Sequence, residues 1–153
     1  MNNEVPDIPI FMQQMAETIT KTACSLDLDQ MSAFFQAMVS AKRVYVAGAG
    51  RSGFIAKAFG LRLLHLGYDV YVVGETITPA LQAGDTMVVF SGSGETQSMV
   101  SISGIVKDLG GTLCLITASS DSKISEIADC IVNLGDLTGY YRKEKIPFEI
   151  RQL

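Results

Sequence analysis

The chain has 153 residues, enough for one domain that buries roughly two thirds of its unfolded surface. Apolar residues make up 48% of it, which excludes a disordered class. The net charge of −4 argues against nucleic acid and anionic membrane surfaces as partners, because both are bound through Lys and Arg, yet a local site can still oppose the global charge and hold a small anion.

In chain order, residues 8–39 form a helical arm. Ile8, Phe11, Met12, Met15 and Ile19 recur at helical spacing. Asp27 or Asp29 caps a second helix that carries Met31, Phe34, Phe35 and Met38. Two fates are open for the broad apolar faces of this arm: packing on the chain's own sheet, or covering another subunit. Strands and helices then alternate. Val44 to Ala47 is a strand, and Phe54 to Leu66 a helix with Ser52 near its start and Gly67 at its end. Val70 to Val73 is a strand, followed by a turn-rich link through Pro79 and Gly84. Next come a strand from Thr86 to Phe90, a helix from Gln97 to Leu109 stopped by Gly110-Gly111, and a strand from Thr112 to Thr117. A short helix over Ser122 to Asp129 and a last strand from Cys130 to Leu134 complete the core, residues 43–134; a polar tail, 135–153, follows.

The strand runs V-Y-V, V-Y-V-V, M-V-V-F and L-C-L-I are continuously apolar rather than alternating. Strands covered on both faces read this way, so the fold class is α/β: a three-layer α-β-α sandwich around a five-stranded parallel, doubly wound sheet. Cys24, Cys114 and Cys130 are odd in number, scattered and in apolar context, and read as buried, reduced thiols of a cytoplasmic protein. His65 is the one histidine and no Cys pair has ligand spacing, so no metal site is expected. No apolar run approaches a membrane span, and Met1-Asn2-Asn3-Glu4 has no basic stretch leading into an apolar one; a soluble, unexported chain is expected.

Two glycine- and serine-rich bends carry the functional signal. Val44 to Gly53 reads V-Y-V-A-G-A-G-R-S-G, and Met87 to Thr96 reads M-V-V-F-S-G-S-G-E-T. Each follows a strand and opens a helix, whose N-terminus offers free N–H groups and the positive end of a dipole. In a doubly wound parallel sheet both bends lie on the same edge. Ser91, Ser93 and Thr96, with Gly92 between the serines, exceed what a helix cap needs and suit a phosphate; Gly50, Arg51 and Ser52 suit phosphate or sugar hydroxyls. A phosphorylated sugar fits both bends. The second bend lacks G-x-x-x-x-G-K-[ST], so it is not a nucleotide P-loop. Gly48, Gly50 and Gly53 do match G-x-G-x-x-G, and Glu75 sits where a dinucleotide fold places its ribose-binding acid. Against that reading stand the length of the chain and a second bend with no assigned role.

The block G-A-G-R-S-G-F-I-A-K-A-F-G-L-R-L-L-H-L-G-Y-D-V-Y-V-V-G-E-T-I-T-P-A from Gly48 to Ala80, with S-G-S-G-E-T from Ser91, resembles SIS (sugar isomerase) domains, and within them the 6-phospho-3-hexuloisomerases, over roughly Ile10 to Leu134. The resemblance implies a flavodoxin- or Rossmann-like sheet and no cofactor. It implies interconversion of a phosphorylated 3-hexulose with fructose 6-phosphate in the ribulose monophosphate route, and a homo-oligomer, dimer or tetramer. Residue by residue it matches Ser52 to a sugar-contacting serine and Ser91, Ser93 and Thr96 to the phosphate loop. It matches His65 to the histidine of an R-L-x-H-L-G block. Family members carry a P-x-G-T-x-F-E block whose glutamate is the suspected base, then a long helix. Here Ile146-Pro147-Phe148-Glu149 departs from that block and the helix is not matched; two alternatives stay open, that the P-F-E fragment is a remnant of the block, which makes Glu149 the corresponding acid, or that the match ends before it.

Overall fold

The computed structural model describes residues 7–135. Helix α1 spans Ile8–Ser25; the Asp7 carboxylate accepts the Ile10 N–H at 3.3 Å, and Pro9 sits in the first turn, where a missing N–H costs nothing. Helix α2 spans Leu28–Ser40. Of the two candidate caps it uses Asp27, whose Oδ1 accepts the N–H groups of Asp29 and Gln30 at 2.8 and 3.0 Å. There follow β1 (Val44–Gly48), α3 (Arg51–His65), β2 (Val70–Val72), β3 (Thr86–Phe90), α4 (Gln97–Asp108), β4 (Thr112–Thr117) and β5 (Cys130–Asn133). The strands form one parallel sheet in the order β2-β1-β3-β4-β5. The expected α/β sandwich is what the chain forms.

Successive side chains of a strand point to opposite faces, and here both faces are covered. Tyr45, Ala47, Met87, Val89, Leu113 and Leu115 pack with Met99 and Val106 of α4. Val44, Val46, Val88, Cys114 and Cys130 pack with Met38 of α2 and with Ala56 and Leu63 of α3. Each Val, Leu or Met among these contributes about 1.5–3 kcal/mol when fully buried, which explains why every central strand reads as an unbroken apolar run. At the strand N-termini, Arg43 clamps Asp85 through Nε at 3.0 Å and Nη2 at 2.5 Å, and Asp85 also accepts the Gln82 N–H at 2.7 Å. Burial pushes the Asp85 carboxyl up, but Arg43 and the Gln82 N–H outweigh it and hold the group below its ordinary value.

One expectation changes. The segment 122–129 is a run of turns, not a helix, because its own serines capture the backbone. Ser125 Oγ accepts the Ser122 N–H and donates to the Ser122 carbonyl, while Ser122 Oγ accepts the Ser125 N–H. Such local bonds compete with helix formation. The two helices of the arm differ in how they pack. Helix α2 packs on the sheet through Met38, with Phe34 and Ala37 beside it. Helix α1 buries none of its residues: Ile8, Phe11, Met12, Met15 and Ile19 remain 51–68% exposed.

Candidate functional site

Strands β1 and β3 are neighbours in the sheet, although β2 lies between them in sequence, so the winding direction reverses at that pair. Open α/β sheets bind ligands at the carboxyl ends of the strands at such a reversal. Gly48 and Phe90, the last residues of the two strands, are register partners. The two glycine-rich bends therefore leave the sheet side by side.

The first bend is shaped by close approach. A Cβ on Gly48 would lie 2.7 Å from the Ser52 carbonyl carbon, and one on Gly53 would lie 2.8 Å from the Gly48 oxygen. Only glycines let α3 start directly against the end of β1. Gly50, at φ 56°, caps that helix with no side-chain bond. Helix α3 begins at Arg51, three residues earlier than the apolar period suggests, so Arg51 and Ser52 occupy its first turn, where N–H groups have no intrahelical acceptor. Arg51 is exposed and Ser52 half-buried, and neither side chain has a hydrogen-bond partner among the described residues.

In the second bend the hydroxyls divide their work. Ser91 is buried; its Oγ accepts the Gly94 N–H at 3.1 Å and its N–H donates to the Ile116 carbonyl. Its hydroxyl shapes the turn. Gly92, Ser93 and Thr96 are exposed. Ser93 Oγ accepts the Glu95 N–H at 3.2 Å, which leaves its own proton to donate outward. Thr96 is the N-cap of α4 and makes no side-chain cap bond, so its hydroxyl and the first N–H groups of α4 stay available.

The connection from β4 to β5 braces this bend from behind. The Ala118 N–H and the Thr117 hydroxyl both donate to the Gly92 carbonyl, at 3.0 and 3.2 Å, and the Ile124 N–H reaches the Gly94 carbonyl at 3.3 Å. Glu95 joins from the bend side: Oε1 accepts the Lys123 N–H at 2.8 Å and Oε2 meets the Lys123 ammonium at 2.9 Å. The Lys123 backbone N–H first, then its side chain, hold the Glu95 carboxyl below its usual value. Thr117, Ser122 and Lys123 were not among the residues sequence reasoning singled out. The signal was present as the hydroxyl-rich run A-S-S-D-S-K-I-S following a third strand that ends on the same edge.

The remaining sequence candidates lie elsewhere. Glu75 forms an ion pair with Lys57 at 2.6 Å, which lowers its carboxyl through that hydrogen bond. His65 is the last residue of α3 and exposed. With a rise of about 1.5 Å per residue, it stands about 20 Å along the helix from Arg51, at the far end from the bends of its own chain. Glu149 lies outside the described residues.

A model of the SIS domain matches residues 37–135. The chain belongs to the SIS domain family. It is 45% identical over 122 residues to an uncharacterized protein of Archaeoglobus fulgidus, covering 80% of this chain and 67% of that one. It is 36% identical over 126 residues to the 3-hexulose-6-phosphate isomerase of Mycobacterium gastri, covering 82% of this chain and 63% of that one. Among solved structures, it is 32% identical, with a TM-score of 0.66, to a hypothetical protein of Methanococcus jannaschii inferred to be a 3-hexulose-6-phosphate isomerase; 69% of this chain and 59% of that one are covered. The fold alone is shared with the Vibrio vulnificus NanR protein complexed with ManNAc-6P, at 19% identity and a TM-score of 0.75 over 86% of this chain and 53% of that one. The SIS chain spans 62–67% of the length of the first curated relatives it matches. No helix of the described residues is long and apolar enough to cross a membrane.

Proposed function

We propose that this chain is a cofactor-independent isomerase that interconverts 3-hexulose 6-phosphate and fructose 6-phosphate. The observation that carries the reading is the placement of two donor-bearing bends on neighbouring strands at the sheet's reversal. The phosphate sits on Ser93, Thr96 and the N-terminus of α4, where a dianion meets hydroxyls, free N–H groups and a helix dipole. Ser52 and Arg51 take the sugar end. The relatives named as 3-hexulose-6-phosphate isomerases support the substrate.

The chemistry moves a carbonyl between C2 and C3. A base removes the proton beside the carbonyl, an enediolate forms, and the proton returns one carbon away; a positioned carboxylate or imidazole contributes roughly 10²–10⁴ in rate. Glu149 is the proposed base. His65 serves the site of a second copy, in a homo-oligomer that covers α1 and the exposed Phe54, Ile55, Leu61 and Leu64 of α3. The phosphate anchor supplies orientation.

The test is exchange of the C3 proton of fructose 6-phosphate with solvent deuterium, followed by NMR on the purified full chain without added cofactor. Exchange is expected in the wild type and lost in Glu149→Gln, which still binds the sugar. A second reading is a phosphosugar-binding regulatory module. It is favoured by the engagement of Glu95, the carboxylate of the second bend, with Lys123. Thermal protection by fructose 6-phosphate without C3 exchange selects that reading and removes the isomerase.

A further inference from the structure

The sheet brings together two cysteines that lie 16 residues apart in sequence. Cys114 in β4 and Cys130 in β5 are register partners. Their sulfurs are 2.7 Å apart, both side chains are buried, and no disulfide joins them. Packed carbon atoms rest about 3.5–4.0 Å apart, so these thiols are in closer contact than packing alone requires. Neighbouring strands stand about 4.8 Å apart, inside the Cα separation of about 4.4–6.8 Å that a disulfide tolerates. The pair also occupies a telling position. Cys114 and Cys130 close the base of the segment whose Thr117, Ala118, Lys123 and Ile124 hold the second bend.

We propose that Cys114 and Cys130 are a redox site, closing to a disulfide that staples the brace behind the anion-binding bend. The step balances with a peroxide as oxidant. The Cys130 thiolate attacks the peroxide, the O–O bond breaks, and hydroxide leaves, giving a sulfenic acid. The Cys114 sulfur then displaces its oxygen as water and forms the S–S bond. Two thiols are oxidised and one peroxide is reduced. Cys130 is the first nucleophile on two grounds: it is the more accessible, at 8% against 0% exposed, and its hydrogen bond with Cys114 draws the Cys130 ionisation down. That same bond, with burial, pushes the Cys114 thiol up.

The experiment uses the full chain with the exposed Cys24 replaced, Cys24→Ser, treated with hydrogen peroxide under native conditions, then unfolded and alkylated. Intact mass is expected to show the loss of two hydrogens and no alkyl group, reversed by dithiothreitol. The oxidised form is expected to melt about 5–10 °C higher than the reduced form. Cys130→Ser in the same background is expected to show neither change. Two alkylated thiols after native oxidation, added oxygens without a crosslink, a crosslink only between molecules, or an unchanged or lower melting temperature would each overturn the proposal. None of these readouts involves the phosphosugar, so failure of the isomerase reading leaves this one standing.

Discussion

Gly94→Ala tests whether the brace behind the second bend fixes its shape. Gly94 has φ +65°, and a Cβ there would lie 2.0 Å from Ser122 Oγ and 2.5 Å from Ser122 Cβ. The left-handed backbone costs an alanine about 1–2 kcal/mol, and forcing atoms into a packed site costs about 1–3 kcal/mol. Ser122 cannot simply rotate away, because its hydroxyl is bonded to Ser125 within the buried turn. The sum, about 2–5 kcal/mol, corresponds to a fall in melting temperature of about 5–15 °C for a chain of this size. Gly92→Ala is the control. Nothing lies within 4 Å of its Cβ and its φ is not positive, so its stability stays within about 0.5 kcal/mol of wild type. Removing the obstruction with Ser122→Gly in the Gly94→Ala background recovers the steric part and leaves the backbone part. The assay is a double-mutant cycle by urea unfolding, with a favourable coupling of about 1–3 kcal/mol expected. Additive effects, or a Gly94→Ala melt indistinguishable from wild type, refute the argument.

On the proposed reading Ser93→Ala removes one donor to the phosphate, and it is expected to weaken fructose 6-phosphate binding about 10-fold by calorimetry, with little change in the melt. Lys123→Met strips the ammonium from Glu95 and leaves its carboxylate only the residue-123 N–H, beside the proposed phosphate site; affinity for fructose 6-phosphate is expected to fall, and Glu95→Gln in the same chain to restore it. If the double variant binds as weakly as Lys123→Met alone, the charge argument is wrong. Asp85 titrates in the folded state below its ordinary value of 3.8, so its stabilisation is complete above that pH and is lost as the pH falls through the folded value. Acid unfolding of Asp85→Asn should therefore be flatter below about pH 4 than that of wild type.

Much of the fold could be read from residue pattern, because unbroken runs such as Met87 to Phe90 leave no polar face for solvent. The placement of both bends on one edge followed from parallel winding alone. What escaped depends on contacts between segments distant in sequence. The bonds from Lys123 to Glu95 and from Ala118 to Gly92 have no periodic signature, and neither does the meeting of Cys114 with Cys130. The turns at 122–129, expected as a short helix, escaped for a different reason: Ser122 and Ser125 offered the backbone closer partners. His65 was assigned from resemblance, and a helix of 15 residues carries it away from its own chain's bends.

The pairing of Gly48 with Phe90 sets a fixed gauge. The two anchor points stand one interstrand step apart, about 4.8 Å, and that interval belongs to the hydrogen-bonded ladder rather than to either loop. No substitution in the loops can widen it without breaking the ladder. On the proposed phosphosugar reading, a change of preference from one carbohydrate to another would act through what projects from the anchors, such as Arg51, Ser52 or Ser93, while the span between them stays constant.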